Sequence, residues 1–362
     1  MKFTLFQFRG FDRSGIILLV VLWIMAIVSI LAVGLGRRTG IDLSLTKYSI
    51  GKLKSRSFAW AGLMYAADQI KKDTEDPVSS EYDTLYECAV KIEKDKKPED
   101  IFKNVRLEEG YFDIGYTSDQ SENSREIYYG LEDEERKINL NALTVQNYKV
   151  LSNLIVLLGF DDEIAEIIAS SVVDWQDRDS TVTNPPYGAE DNEYLALPKP
   201  YHCKNSPFEN IEELLLIKGM TPEIFLKIKN YITVFPNETS NLLINIDTAS
   251  EIVIRALARS VTGPLTNTEI SDADSMATKL TSYRRGGDNK EFTADDRTVN
   301  ANELGLNTKE MVIFFAIKGR ATNVSHYLRM KVRGADQSSS IDSHIEAVMY
   351  RDDLSIVFFR RD

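Results

Sequence analysis

The stretch Ile16–Leu35 reads IILLVVLWIMAIVSILAVGL, and the rest of the chain is organised around it. Its twenty residues carry no charge. At about 1.5 Å rise per residue such a helix spans about 30 Å, the hydrocarbon thickness of a bilayer. A core helix of a soluble domain rarely runs so far without a polar face. A cleaved secretory signal would have an apolar region of about 7–15 residues and a small-x-small cleavage site. Gly34-Leu35-Gly36 matches that site poorly. The preceding segment, MKFTLFQFRGFDRSG, sums to a charge of +2 and ends in Gly15, directly at the start of the apolar run. A basic flank of this kind stays on the cytoplasmic side. Arg37 and Arg38 on the far side weaken a pure charge argument for orientation.

Composition limits the remainder. Of 362 residues, 43% are hydrophobic and 27% charged, which is the make-up of a folded globular chain. A formal charge of -12 argues against broad binding to phosphate backbones or anionic lipid. Two cysteines exclude a disulfide-dense scaffold and a four-thiolate zinc site. The three histidines, His202, His326 and His344, leave little room for multi-histidine metal chemistry.

Beyond the apolar run the helical pattern continues to about Lys72 in amphipathic form, through Ile41, Leu45, Tyr48, Leu53, Ala59, Leu63, Ala66 and Ile70. Small residues Ala59, Gly62 and Ala66 suit close approach to a sheet, while glycines 34, 36, 40 and 51 invite a kink. Gly110–Tyr116 and Arg125–Tyr129 read as a hairpin around a polar turn. Strands are expected again at Met311–Ile317, His326–Val332, His344–Tyr350 and Leu354–Arg360. Between Ile138 and about Leu306 helical patterns dominate.

Within that region Ile138-Asn139-Leu140-Asn141-Ala142 is echoed by Ile244-Asn245-Ile246-Asp247-Thr248-Ala249. Gly159-Phe160-Asp161 is likewise echoed by Gly219-Met220-Thr221, with Thr221-Pro222 a strong helix start. These look like helix-hairpin-helix or SAM-like units. The expected fold is α+β: a long N-terminal transmembrane helix packed on an antiparallel sheet, interrupted by a large all-α insertion. The expected divisions are 1–15 as leader, 16–72 as the long helix, and 73–138 with the first strands. Residues 139–240 and 241–305 would form two helical lobes, and 306–362 the returning strands.

A short basic leader ending in glycine, followed by an uninterrupted apolar helix, resembles the class III signal of type IV pilins and type II secretion pseudopilins. That resemblance implies cleavage by prepilin peptidase after Gly15 and methylation of Ile16 as the new amino terminus. Most members carry glutamate at the fifth mature position, where this chain has Val20. The general secretion pathway protein K branch lacks that glutamate and carries a large insertion, so the departure narrows the resemblance. It implies a minor pseudopilin at the tip of the pseudopilus, held in the inner membrane by one helix with its body in the periplasm. The implied partners are the I-type and J-type minor pseudopilins, the pseudopilus and the inner-membrane secretion machinery.

The sharpest chemical feature is VVDWQDRDSTVTNPPYGAEDNEY, Val172 to Tyr194. Closely spaced carboxylates on an irregular loop are suitable calcium ligands, although the spacing is not that of an EF-hand. An acidic solvated loop is the other reading of the residues alone. The stretch resembles the protein K segment built around Asp-Trp-x-Asp-x-Asp and Gly-Ala-Glu-Asp-x-x-Tyr, matched here from Asp174 to Tyr194. Family members bind calcium in this insertion. The resemblance therefore implies calcium held by Asp177, Asp179, Glu190 and Asp191, with Asp174 a further candidate. Cys88 and Cys203 either pair in an oxidising compartment or stay as two thiols.

No Gly-x-Ser-x-Gly elbow, phosphate loop or His-Glu-x-x-His is present, so the expectation is a non-enzymatic protein. The rival reading is a membrane-anchored periplasmic DNA receptor using the hairpin-like lobes. A DNA-gripping hairpin needs basic neighbours, and Asp161, Asp162 and Glu163 follow the first one. No nucleic acid is expected.

Overall fold

The computed structural model describes residues 13–93, 95–117, 127–237, 239 and 241–362. Most of the expected leader and the polar turn of the first hairpin lie outside them. Helix α1 runs unbroken from Arg13 to Thr74, about 93 Å at the usual rise. The glycines do not interrupt it. From Gly15 to Ile50 every residue is exposed, and this is the one helix among the described residues long and apolar enough to cross a membrane.

From Gly51 onward α1 has a buried face. Ser55, Ala59, Leu63, Ala66 and Ile70 are fully buried at three- and four-residue spacing, as the pattern requires. They rest on a sheet of β1 (Val105–Leu107), β2 (Gly110–Thr117), β9 (Tyr327–Asp336), β10 (Asp342–Tyr350) and β11 (Ile356–Arg361), in that order. All these pairings are antiparallel, with Ile114 opposite Val332 and Ala347 opposite Met330. Strand β3 (Ile127–Tyr129) pairs antiparallel with the end of β2, and β4 (Glu132–Asp133) pairs with β9. Phe112, Ile114, Leu328, Met330, Val332, Ile345 and Ala347 form the facing layer of this core.

The approach is close because small residues meet. A Cβ at Gly334 of β9 would overlap the Ala59 backbone nitrogen and the Ser55 carbonyl, and one at Gly62 would overlap Val332 and Phe112. Backbone on both sides of Gly334 cannot yield, so Gly334→Val should cost about 3 kcal/mol by overpacking. A thermal melt of the full chain checks this, and an unchanged melting temperature would contradict the contact.

Between β4 and β9 lies the helical part. It begins with β5 (Ile138–Asn139) and continues through α3 (Lys149–Leu157), α4 (Asp162–Gln176), α5 (Asp191–Leu195), α6 (Pro222–Ile228) and β6 (Ile232–Thr233). Then follow β7 (Ile244–Asn245), α7 (Glu251–Arg259), α8 (Ile270–Arg284), α9 (Thr308–Ile317) and β8 (Ala321–Thr322); a short α2 (Pro98–Phe102) precedes the sheet. The internal echo has a structural counterpart. Asn139 accepts a hydrogen bond from the Asn141 backbone at 3.0 Å, and Asn245 accepts one from Asp247 at 3.0 Å. Each Asn–x turn is preceded by a two-residue parallel bridge, β5 with β6 and β7 with β8. Gly159 and Gly219 both have positive φ, +93° and +81°, at the turns before α4 and α6.

One expected strand is a helix. Met311–Ile317 lies in α9, whose start is a capping box: Glu310 N donates to Asn307 Oδ1 at 3.0 Å, and Asn307 N donates to Glu310 Oε2 at 2.7 Å. Ile313, Phe314 and Ile317 are buried in the helical core. The chain therefore returns to the sheet at β9, not at residue 306.

Candidate metal centre

Helix α4 carries the acidic segment into position. Asp161 caps its start, accepting from Glu163 N at 2.8 Å. Its far end is buried, so Asp174 and Trp175 are inside the protein when the chain leaves the helix at Asp177. Trp175 packs edge-on against Tyr194 of α5, with ring centroids 5.3 Å apart, and Tyr194 stacks on Tyr201. These aromatic rings anchor both ends of the loop 177–190.

The fold brings Asp177, Asp179 and Glu190 together: one carboxylate oxygen from each lies within 4.8 Å of the others. Asp174 sits beneath them. Its Oδ1 accepts from Thr183 N at 2.8 Å, and a side chain at Gly188 would overlap its Oδ2. Only glycine lets the 183–188 turn close over the carboxylate. Asp191 does not join the trio. Its Oδ1 accepts from Cys203 N at 2.7 Å and its Oδ2 lies 3.1 Å from His202 Nδ1, which together hold its carboxyl below the usual range.

Three carboxylate oxygens here, Asp174 Oδ2, Asp177 Oδ1 and Glu190 Oε1, are buried without a hydrogen-bond partner. A buried unsatisfied carboxylate oxygen is costly and calls for a proton or a cation. Burial, reinforced by Asp179 and Asp174, raises Asp177 to about 6. Burial, reinforced by repulsion from Asp174, Asp177 and Asp179, raises Glu190 to about 7. Hard oxygens at this density fit calcium, which takes six to eight of them. Asn205 adds one more buried, unpartnered oxygen, Oδ1, and its backbone nitrogen bonds the Trp175 carbonyl at 2.9 Å. Neither Asn205 nor Thr183 carried a sequence signal.

Cys88 and Cys203 are both free and buried, one in the sheet core and one in the helical core. Burial pushes the Cys203 thiol up to about 12, so with His202 turned to Asp191 no thiolate–imidazole pair forms. Denatured, unreduced protein should titrate two thiols per chain with a chromogenic disulfide; none would mean the bond forms. At the first hairpin Phe160 is covered by the Lys227 ammonium, 5.4 Å from the ring centroid, and acidic residues follow.

Residues 136–237, which include the whole acidic loop, match the family model described as Type II secretion system (T2SS), protein K. Over that stretch the chain is similar to the type II secretion system protein K family. A relative from Pseudomonas aeruginosa, named Type II secretion system protein K, is 25% identical over 309 residues, 82% of this chain and 79% of that protein. The relative of the same name from Pectobacterium carotovorum is 33% identical over 103 residues, 28% of this chain and 30% of that one. In structure the chain resembles one from the crystal structure of the GspK-GspI-GspJ complex from the enterotoxigenic Escherichia coli type 2 secretion system. The TM-score is 0.59 at 16% identity, covering 89% of this chain and 99% of the other. At that identity the likeness is one of fold.

Proposed function

We propose that the chain is a non-enzymatic minor pseudopilin at the tip of the type II secretion pseudopilus, supporting protein export across the outer membrane. The observation that carries this is α1. Its first 36 residues from Gly15 are exposed throughout, although they include the apolar run, while its last turns are the spine of the sheet core. A helix that is half unpartnered and apolar, half buried against its own domain, is built to sit in a bilayer or among similar helices. The membrane is the inner membrane, and the body from Gly51 onward faces the periplasm. Partnership with I-type and J-type minor pseudopilins is supported by the complex in which the similar fold occurs.

In this reading prepilin peptidase cuts after Gly15 and Ile16 is methylated. Calcium is held by Asp177, Asp179 and Glu190 with Asp174 behind them, and fixes the 177–190 loop against α4. Asp191 instead braces the loop through Cys203 and His202. Mass spectrometry of the mature amino terminus, on protein from its host, tests the assignment. N-methylated Ile16 is expected; an intact leader or a cut near Gly36 would overturn it.

A further inference from the structure

Residues 132–137 read Glu-Asp-Glu-Glu-Arg-Lys, and all six are buried, none more than 8% exposed. They form the single covalent path from the sheet into the helical insertion, between β4 and β5. A charged run of this kind is ordinarily solvated, because burying unpaired charge is prohibitive. Here Glu134, Asp133 and Glu135 reach different parts of the molecule, while Lys137 pairs with Glu132 and Glu134 inside the run. Glu134 bonds Arg329 of β9 and the Thr233 hydroxyl of β6. Asp133 accepts from the Thr248 hydroxyl, just ahead of α7. Glu135 meets His326 through its side chain, and its carbonyl accepts from Asn245 N of β7 at 2.8 Å.

A second buried pair carries the seam to the membrane helix. Arg351, at the end of β10, bonds Asp73 in the last turn of α1 and Asp83 at 2.8 Å. Asp83 accepts from Ser325 N at 2.6 Å, and the Ser325 hydroxyl is bonded by Asn245 at 3.0 Å. One continuous polar seam therefore joins α1, the sheet and both halves of the insertion.

Packed units within a chain move relative to one another by default unless something specifies a single docking geometry. Directional buried ion pairs and hydrogen bonds are suited to that task, since they contribute less net stability than apolar packing but penalise every misregistered arrangement. We propose that this seam is the joint that fixes the insertion at one angle to α1, so that the helical lobes are carried as a rigid extension of the anchored helix. Glu134 is its positioning residue, because from the centre of the run its carboxylate ties β9 to β6. The Arg329 guanidinium it holds also lies over the rings of Phe235 and Phe358, which closes the junction on the apolar side.

The test is a distance measurement between spin labels on the full chain in detergent, one at Ser57→Cys on the exposed side of α1 and one at Leu265→Cys in the α7–α8 turn. Both native thiols are buried and escape mild labelling. One narrow distance population is expected. Glu134→Gln with Arg329→Met should broaden or split it while the far-ultraviolet circular dichroism stays unchanged. The milder pair Thr233→Val and Thr248→Val, which leaves the charges paired, should broaden it less. A broad distribution in the parent chain, or a narrow one in any folded variant set, would overturn the proposal; a unique angle maintained by apolar packing alone would give the latter.

Discussion

Saturating calcium is expected to raise the melting temperature of the full chain by roughly 5 °C near pH 8, and by much less at pH 5. The first figure follows from mass action: a ligand at about a hundred times its Kd contributes about 2.7 kcal/mol to the folded state, and in a body of this size that is a few degrees. The pH dependence follows from the orphaned oxygens. Asp177 and Glu190 have folded values of about 6 and about 7, above ordinary carboxylates, with burial the first cause in each. A carboxyl raised on folding contributes stability that is fully present below its unfolded value and is lost as pH rises through its folded one. Without metal, the loop should therefore lose stability between about pH 4 and 7.

Calcium requires the ionised forms, so protons compete with it over the same window. Its stabilising effect should grow as the metal-free protein weakens. Asp177→Asn with Glu190→Gln should remove both effects together: the calcium-dependent shift disappears, and the metal-free protein becomes less sensitive to pH. Differential scanning calorimetry with and without calcium at pH 5 and pH 8 checks both. Calcium uptake absent from an isothermal titration at millimolar metal, or a shift that persists in the double variant, would remove the metal from the account.

What was legible in the sequence depended on how local the governing interactions are. The apolar run, the three- and four-residue spacing of Ala59, Leu63, Ala66 and Ile70, and the strands expected at 326–332 and 344–350, which form within 327–336 and 342–350, are set by neighbours along the chain and could be read directly. The α9 error had a readable antidote. Met311–Ile317 is apolar and β-branched enough for a strand, but Asn307-Thr308-Lys309-Glu310 is a capping box, a signal outside the hydrophobic pattern.

The acidic loop was located correctly as a charged irregular stretch, yet its internal division was not legible. Nothing in Glu190-Asp191 says that the first points into the trio and the second out to Cys203 and His202, because that is decided by where residues 202–203 return. The seam at 132–137 was invisible for the same reason at longer range. The partners of Glu134, Thr233 and Arg329, lie 99 and 195 residues away along the chain. Composition alone marks such a run as surface.

Val20→Glu should impair secretion far less than Gly15→Ala, when each variant is expressed in place of the parent chain and exported protein is measured. Gly15 lies immediately before the apolar run, where the proposed cleavage separates a leader of charge +2 from Ile16. An unprocessed chain would keep that charged segment joined to the helix that must leave the bilayer, and the cost of moving its charges through hydrocarbon would fall on every attempt. Secretion should drop to near background. Val20 lies five residues into the mature helix, on a stretch that makes no contact with the protein's own body, and it is 49% exposed. Glutamate there costs at most about 3 kcal/mol at mid-bilayer depth, and less near the interface, where the side chain reaches water or the new amino terminus. If the chain stands at the end of the stack, no neighbour beyond it needs a partner from position 20. Valine avoids leaving a carboxylate unpaired there, and glutamate would be tolerated at a modest cost. Equal loss of secretion from the two substitutions would contradict the terminal position, because it would mean that residue 20 contacts a subunit on both sides.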